Sequence, residues 1–463
     1  MTPLPTRFRF LLVGFVAFAT LTAACGDDSA AENDAADPEA TAEGDVANNE
    51  GTVAPDEQTS DDATTTTSVP VELSDSFRGV TSTAIKVGVA GPDLEALRGL
   101  IDLDHGSYEA AYRALIAEVN ADGGVLGRNI EIVFESYLPI GTEGMDTICS
   151  RFTDDEEVFA VMGGLLDDGP LCYTQLTDTA LIGSTQNNRR VAVSTAPWFT
   201  GVRNSDDVME TIIRGFDREG IFEGRTVGVV AAVADRNEVE AGAIPLLAEL
   251  GVDVADISYI EASPIDTVAA DTEVALIAEK QEVSGVDLAL AIGGATPQYA
   301  GGLEQATFRP RLATTSLASL RAYIRDRGGR DLSVLDESVA GNTAEQLGWW
   351  DDPAIQECIA VVEAAGEPSI LDPNTRLAEE PENLVSVAAA CRDVALFVEI
   401  ATAAGPDLTN DSFQAAGNAL GDFHVPGFGP GNFSAESPDS SVPVYFYEWD
   451  DEVQDLRSDG TTL

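Results

Sequence analysis

Short apolar runs alternate along this chain with stretches of helical spacing. Ile85-Lys86-Val87-Gly88-Val89-Ala90 reads as a buried strand. Tyr108, Tyr112, Leu115 and Val119 then fall at spacings of four, three and four, which is one face of a helix. Asp122-Gly123-Gly124 stops that helix. The pattern predicts a second strand at 129–134, a helix over 142–152 and a third strand at 158–162. It continues through 171–200 and restarts with a strand at 225–230, a helix over 240–250, and strands at 252–259 and 287–292. Short apolar strands alternating with helices indicate parallel sheets covered on both faces, an α/β architecture. About 380 residues of this pattern are too many for one doubly wound sheet, so two Rossmann-like lobes are expected. Crossings between them are placed near Thr195-Ala196-Pro197-Trp198 and after Arg311-Leu312-Ala313-Thr314-Thr315. This assigns 84–196 and 316–433 to lobe 1, and 197–315 and 434–463 to lobe 2.

The first 83 residues lack this alternation. Arg7 and Arg9 precede a twelve-residue apolar run at 10–21, and Leu21-Thr22-Ala23-Ala24-Cys25 follows. Twelve helical residues span about 18 Å, short of a ~30 Å hydrocarbon core, so 1–25 is read as a secretion signal. Its end resembles a bacterial lipobox with Cys25 as the lipidated residue, which implies attachment to the outer face of the bacterial cell membrane through a lipid anchor. Residues 26–83 are read as a disordered acidic tether, being rich in Asp, Glu, Ala and Thr with no aromatic before Phe77.

Charge narrows the partners. The 463 residues carry 80 acids against 25 Lys and Arg, a formal charge of −55. Fifteen of those acids lie between Gly26 and Phe77 with no basic residue among them. Taking away that −15 and the +2 of Arg7 and Arg9 leaves −42 on residues 78–463, so the folded part is acidic too. A nucleic-acid partner is excluded by like charge. Two histidines, His105 and His424, give little material for a metal site or a Ser-His-Asp triad, and neither metal nor cofactor is expected. Gly88-Val89-Ala90-Gly91 is only a fragment of a dinucleotide fingerprint. With Cys25 lipidated, Cys149, Cys172, Cys358 and Cys391 remain in an oxidising compartment. Of three possible connectivities, the sequence-local pairs Cys149–Cys172 and Cys358–Cys391 are expected, each bracketing one short helical unit.

A family resemblance adds to this. The strand at 85–90, the turn Asn120-Ala121-Asp122-Gly123-Gly124-Val125-Leu126-Gly127-Arg128 and the strand after it resemble the leucine/isoleucine/valine-binding proteins. These are type I periplasmic binding proteins that feed ABC importers. Gly293-Gly294-Ala295-Thr296-Pro297-Gln298 is a second match, and the resemblance spans about residues 84–455. It implies two lobes joined by a three-strand hinge, with a solute bound in the cleft and an ABC permease as partner. By position it implies ligand contacts from His105 and Tyr108 before and at the first helix, from Tyr173 and Thr174, and from Ser184 and Thr185. Arg236 is a further choice, for a ligand carboxylate. Gln298 stands where amino-acid binders of the family carry a glutamate for the ligand ammonium. A neutral amide gives a buried ammonium no counter-charge. Either another acid substitutes, Glu238 being one choice, or the ligand is not an ordinary α-amino acid. An amino acid, amide, urea or carboxylate all fit. The function implied is non-enzymatic solute capture for import, with a sensor of the same fold as the alternative and a secreted α/β hydrolase as the least favoured reading.

Overall fold

A computed structural model of the chain describes residues 73–463, apart from 98–103, 140–142, 167, 263–265, 326–330, 344–345 and 377–379. The secretion signal, Cys25 and the tether as far as residue 72 lie outside the described residues.

The first sheet is built from β1 (Ala84–Pro92), β2 (Asn129–Tyr137), β3 (Ala160–Gly163), β4 (Ala180–Ile182) and β5 (Trp198–Phe199). Its strand order is β2-β1-β3-β4-β5, all parallel. Between the strands run α1 (Tyr108–Ala121), α2 (Glu143–Ser150), α3 (Gly169–Leu171) with a wider turn over Cys172–Leu176, and α4 (Asn188–Val193). The chain then enters a second unit of the same kind: α5 (Ser205–Arg218), β6 (Thr226–Ala232), α6 (Arg236–Glu238), α7 (Ile244–Glu249), β7 (Asp253–Ile260), α8 (Thr267–Val283) and β8 (Leu288–Ile292). It continues through α9 (Thr296–Leu303), β9 (Arg311–Thr314), α10 (Leu317–Arg325) and β10 (Val339–Asn342). The parallel order is again β7-β6-β8-β9-β10. After α11 (Gln346–Trp349), the helices α12 (Pro353–Ala364), α13 (Leu384–Ala404) and α14 (Asn410–Asn418) return to the first sheet. A hairpin of β11 (Gly421–Val425) and β12 (Gly429–Phe433) follows, and the second sheet is extended by β13 (Tyr445–Asp450), antiparallel to β10, and β14 (Asp455–Arg457), antiparallel to β13.

Each sheet is apolar on both faces, as a buried parallel sheet must be. One face of the first packs on α1, α12, α13 and α14 through Val87, Val89, Ile359 and Phe397, and the other holds Phe152, Val161 and Leu181. The second is covered by α8, α9 and α10 on one side and by α5 and α7 on the other.

Three sequence boundaries shift. Residues 73–83 belong to the folded body, not to a tether: Phe77 lies edge-on to Phe159 at 6.1 Å, and Arg78 donates to the carbonyls of Thr177 and Asp178. Trp198 and Phe199 form the last strand of lobe 1, so the first crossing is at 200–204 rather than before Pro197. The renewed pattern after Thr315 is the next β–α unit of lobe 2, because β10 pairs with β9; α10 and β10 therefore belong to lobe 2. The chain re-enters lobe 1 after Asn342 and leaves it again after Val442.

The turn motif at 120–128 has a local cause. The Asn120 amide pairs with both backbone groups of Ile130, at 2.7 and 3.0 Å, and sets the start of β2. Gly124 has φ +66°, and the backbone of Arg128 leaves no room there for a Cβ. Arg128, fully buried, donates to the carbonyls of Thr81, Ser74 and Pro406 and ties the entry segment down. Both expected disulfides are present, Cys149–Cys172 and Cys358–Cys391. Neither brackets one short helical unit: the first joins α2 to the turn after α3 across β3, and the second links α12 to α13.

Candidate functional site

An open parallel sheet presents its crevice outside the carboxyl ends of its strands, where the strand order reverses. With these orders the reversals lie between β1 and β3 in lobe 1 and between β6 and β8 in lobe 2. Each edge carries a buried carboxylate set against a glycine.

In lobe 1 that group is Asp393 of α13. Its oxygens lie 2.9 Å from where a Cβ on Gly183 would stand, so only glycine fits at the end of β4. Asp393 accepts from the Tyr112 hydroxyl at 2.5 Å and from the Gly163 N–H, and burial pushes its carboxyl up to about 7. Arg392 beside it is sandwiched between the rings of Trp349, at 4.6 Å, and Phe428, at 4.5 Å. Burial lowers this guanidinium to about 10. Ser184, with φ +59°, accepts from Leu165 N–H and donates to the Gly163 carbonyl, so it ties the β3 and β4 loops together. Thr185 beside it is half-buried. His105 is buried, shares a 2.9 Å hydrogen bond with the Tyr108 hydroxyl, and is pushed down to about 4 by desolvation against the pull of Glu382 and Asp104. Burial also raises the Tyr108 phenol.

In lobe 2 the group is Asp235, at the end of β6. Its Oδ2 lies 2.7 Å from where a Cβ on Gly293 would stand, and it accepts from the Gly294 N–H. The residue is 6 % exposed, Oδ2 has no hydrogen-bond partner, and burial raises the carboxyl to about 6. One turn on, Glu238 has a buried Oε1 with no partner. Burial, followed by the charges of Asp206 and Asp235, raises it to about 7, while Arg190 and Arg189 oppose the shift.

Those two arginines come from lobe 1. Arg190 is 2 % exposed; its Nε holds Asp168 at 3.0 Å and its Nη2 has no partner. Arg189 also pairs with Asp168. Gln186 donates to the Trp198 carbonyl at 2.9 Å and leaves its buried Oε1 bare. The lobes meet at this seam, where Asn188 N–H donates to Asp206 at 2.9 Å and Ser205 N–H to the Gln186 carbonyl at 3.0 Å. Next to it the first and third crossings run side by side: Thr200 N–H donates to the Pro438 carbonyl and the Ser440 hydroxyl to the Gly201 carbonyl.

No family model matches the chain, and no curated protein sequence does. Solved structures match through the fold. An ABC transporter substrate-binding protein from Desulfitobacterium hafniense, in complex with Leu, aligns at TM-score 0.56 and 14 % identity over 81 % of this chain and 99 % of that one. A solute-binding protein from Rhodopseudomonas palustris HaA2 in complex with p-hydroxybenzoic acid gives 0.57 and 14 %, over 82 % and 96 %. A fatty acid ABC transporter substrate-binding protein from Thermomonospora curvata gives 0.55 and 17 %, over 83 % and 94 %. The fold is that of the type I periplasmic binding proteins.

On this periplasmic-binding-protein frame the sequence-predicted residues separate. His105, Tyr108, Ser184 and Thr185 lie at the carboxyl edge of lobe 1, and Gln298, in the first turn of α9, at that of lobe 2, its amide 3.5 Å from the Ala262 carbonyl. Tyr173 and Thr174 are core residues instead. The Tyr173 ring packs 6.4 Å from Phe152, with its buried hydroxyl unpaired, and the fully buried Thr174 hydroxyl is taken up by the Pro170 carbonyl and Ser194. They miss the edge because two helical segments, α3 and the wide turn, place them beyond the first turn after β3. Arg236 stacks on Tyr259 at 4.0 Å and pairs with Glu240 at 3.6 Å, which makes it part of the lobe surface. Asp235, Gln186 and Arg190 escaped the sequence reading. The one signal for Asp235 is an acid three residues past a buried strand, and in a chain with 80 acids that signal does not stand out.

Proposed function

We propose that this chain is an extracytoplasmic solute-binding protein, anchored to the membrane by a lipid on Cys25, that captures a small polar ligand between its lobes for an ABC permease. The observation that carries the reading is the seam itself. Two sheets of the same strand order meet there with bare polar atoms on both sides: Arg190 Nη2 and Gln186 Oε1 from lobe 1, Asp235 Oδ2 and Glu238 Oε1 from lobe 2. Buried groups of this kind ordinarily find partners, and a ligand supplies them when a hinge closes on it. The bare atoms flank paired crossings, the arrangement in which two lobes can rotate about a few backbone positions.

The test is a thermal-shift screen of the full chain against amino acids, amines, amides, ureas and aromatic and aliphatic carboxylates. A true ligand at 100 times its dissociation constant adds about 2.7 kcal/mol to stability. A screen in which no compound raises the melting temperature overturns the reading. For the anchor, Cys25→Ser should release the protein from the membrane fraction into the medium; retention of the variant on the membrane would refute lipidation at that residue.

A further inference from the structure

The two lobes do not contribute equally to the charge of the seam. On the lobe 1 side, Arg189 and Arg190 are both engaged by Asp168, and no salt bridge joins either one to the lobe 2 acids across the seam. On the lobe 2 side, Asp235 and Glu238 stand within one helical turn of each other, with Asp206 of α5 close enough to act on Glu238. Asp235 has a single backbone donor, and each of the two carboxylates keeps one buried oxygen bare. The third polar group of this edge, Gln298, is neutral and makes only a 3.5 Å contact with Ala262.

From this geometry we infer that the ligand carries a cationic nitrogen group, a protonated amine, guanidinium or amidinium, received by Asp235 and Glu238 at the β6–α6 loop. The inference rests on the solute-binding reading above and specifies its ligand class. Only a cationic donor satisfies both bare oxygens and neutralises the repulsion between the two acids. A neutral donor such as an amide or urea has hydrogens enough for both oxygens but leaves the like charges of the ionised pair uncompensated. An anion would add to them. Arg190, whose charge acts on Glu238, has a bare Nη2 that suits a carbonyl or carboxylate elsewhere on the ligand. In an acidic protein most carboxylates are solvated and call for no partner. Asp235 differs in being 6 % exposed and packed on Gly293.

A consequence for pH follows. A bound cation favours the ionised carboxylates, so its affinity rises with pH as Asp235 and Glu238 lose their protons, near 6 and 7 in the free protein. The groups acting on Glu238 besides Asp235 are Asp206 on α5 and Arg189 and Arg190 on α4.

The experiment uses the full chain with agmatine, arginine and putrescine as cationic probes and leucine, 4-hydroxybenzoate and urea as the others, by calorimetry at pH 5.5 and 8. The expected result is binding of at least one cationic probe, tighter at pH 8. Asp235→Asn and Glu238→Gln should each weaken that binding at least tenfold, with no loss of melting temperature in the ligand-free variants at pH 8. Binding of only neutral or anionic probes, or cation binding that both variants retain, overturns this inference and leaves the solute-binding reading standing. A panel in which nothing binds at either pH overturns this inference, whereas the solute-binding reading falls only if the broad thermal-shift screen is also empty.

Discussion

The carboxyl edges of the two lobes share a strand order and a device, a buried carboxylate pressed against a glycine, and differ in whether the carboxylate is satisfied. Asp393 in lobe 1 has the Tyr112 hydroxyl, the Gly163 N–H and the neighbouring Arg392 charge. Asp235 in lobe 2 has one backbone N–H and a bare oxygen, and Glu238 has another. A complete buried network fixes one arrangement of its elements. An incomplete one costs stability and persists where something else completes it. The Asp393 network is built as scaffold, and the bare acids of lobe 2 are where we place recognition of the ligand's charge.

The sharpest way to break this contrast is to delete each acid. Asp393→Ala orphans two buried donors and uncovers Arg392, and should destabilise the chain by about 3 kcal/mol or more in denaturant unfolding. Asp235→Asn removes a half-paired charge and should leave the ligand-free stability at pH 8 unchanged or higher. Equal losses from the two variants would mean that both edges are scaffold.

The lobes also differ in covalent support. All four disulfide cysteines lie in lobe 1, and lobe 2 contains none. Replacing Cys358 and Cys391 with serine opens a link of sequence separation 33 and should cost about 3 kcal/mol. Hydrogen exchange should then quicken in β1 and β3 more than in β6 and β8; the reverse order would contradict the division of the cores.

A smaller effect distinguishes the edges through pH. The folded-state values of Asp235, Glu238 and Asp393, about 6, 7 and 7, lie above the ordinary 3.8, 4.5 and 3.8. Over that interval the native state holds more protons than the unfolded chain, so these groups lower stability as pH rises from about 4 to about 7. The Asp235→Asn, Glu238→Gln double variant should show a flatter fall than the parent in denaturant midpoints taken at pH 5 and 8. An unchanged slope would mean that the two lobe 2 acids are solvated.

The scaffold was far more legible in the sequence than the recognition edge. The spacing at Tyr108, Tyr112, Leu115 and Val119 and the Asn120-to-Arg128 turn announce their structures because local chemistry sets them: an amide capping a strand, glycines at positive φ, a helical apolar face. Lobe membership was not local. Whether the unit after Thr315 closes one lobe or opens another depends on β10 pairing with β9 and β13, and β13 lies a hundred residues away in the sequence. Site residues depended on a helix start. Tyr173 and Thr174 fell into the core because the segment after Asp168 begins earlier than the resemblance implied. Among 80 acids, a buried oxygen without a partner marks out Asp235 and Glu238, and that is a tertiary property.

The smallest expected effect concerns Gln298, the residue that resemblance places at the ligand's cationic group. It is half-buried in the first turn of α9, following the Gly293-Gly294 loop on which Asp235 rests. Gln298→Glu would add a third acid to this edge, with solvent access to screen it, whereas the bare oxygens of Asp235 and Glu238 are buried. If recognition has moved to the β6–α6 loop, the new charge should tighten binding of a cationic probe only a few-fold by calorimetry and lower the ligand-free melting temperature slightly at pH 8. A hundredfold gain would instead return charge recognition to the β8 loop. The bare oxygens of Asp235 and Glu238 would then count as a packing cost of lobe 2, and the contrast between the two edges would reduce to one of stability.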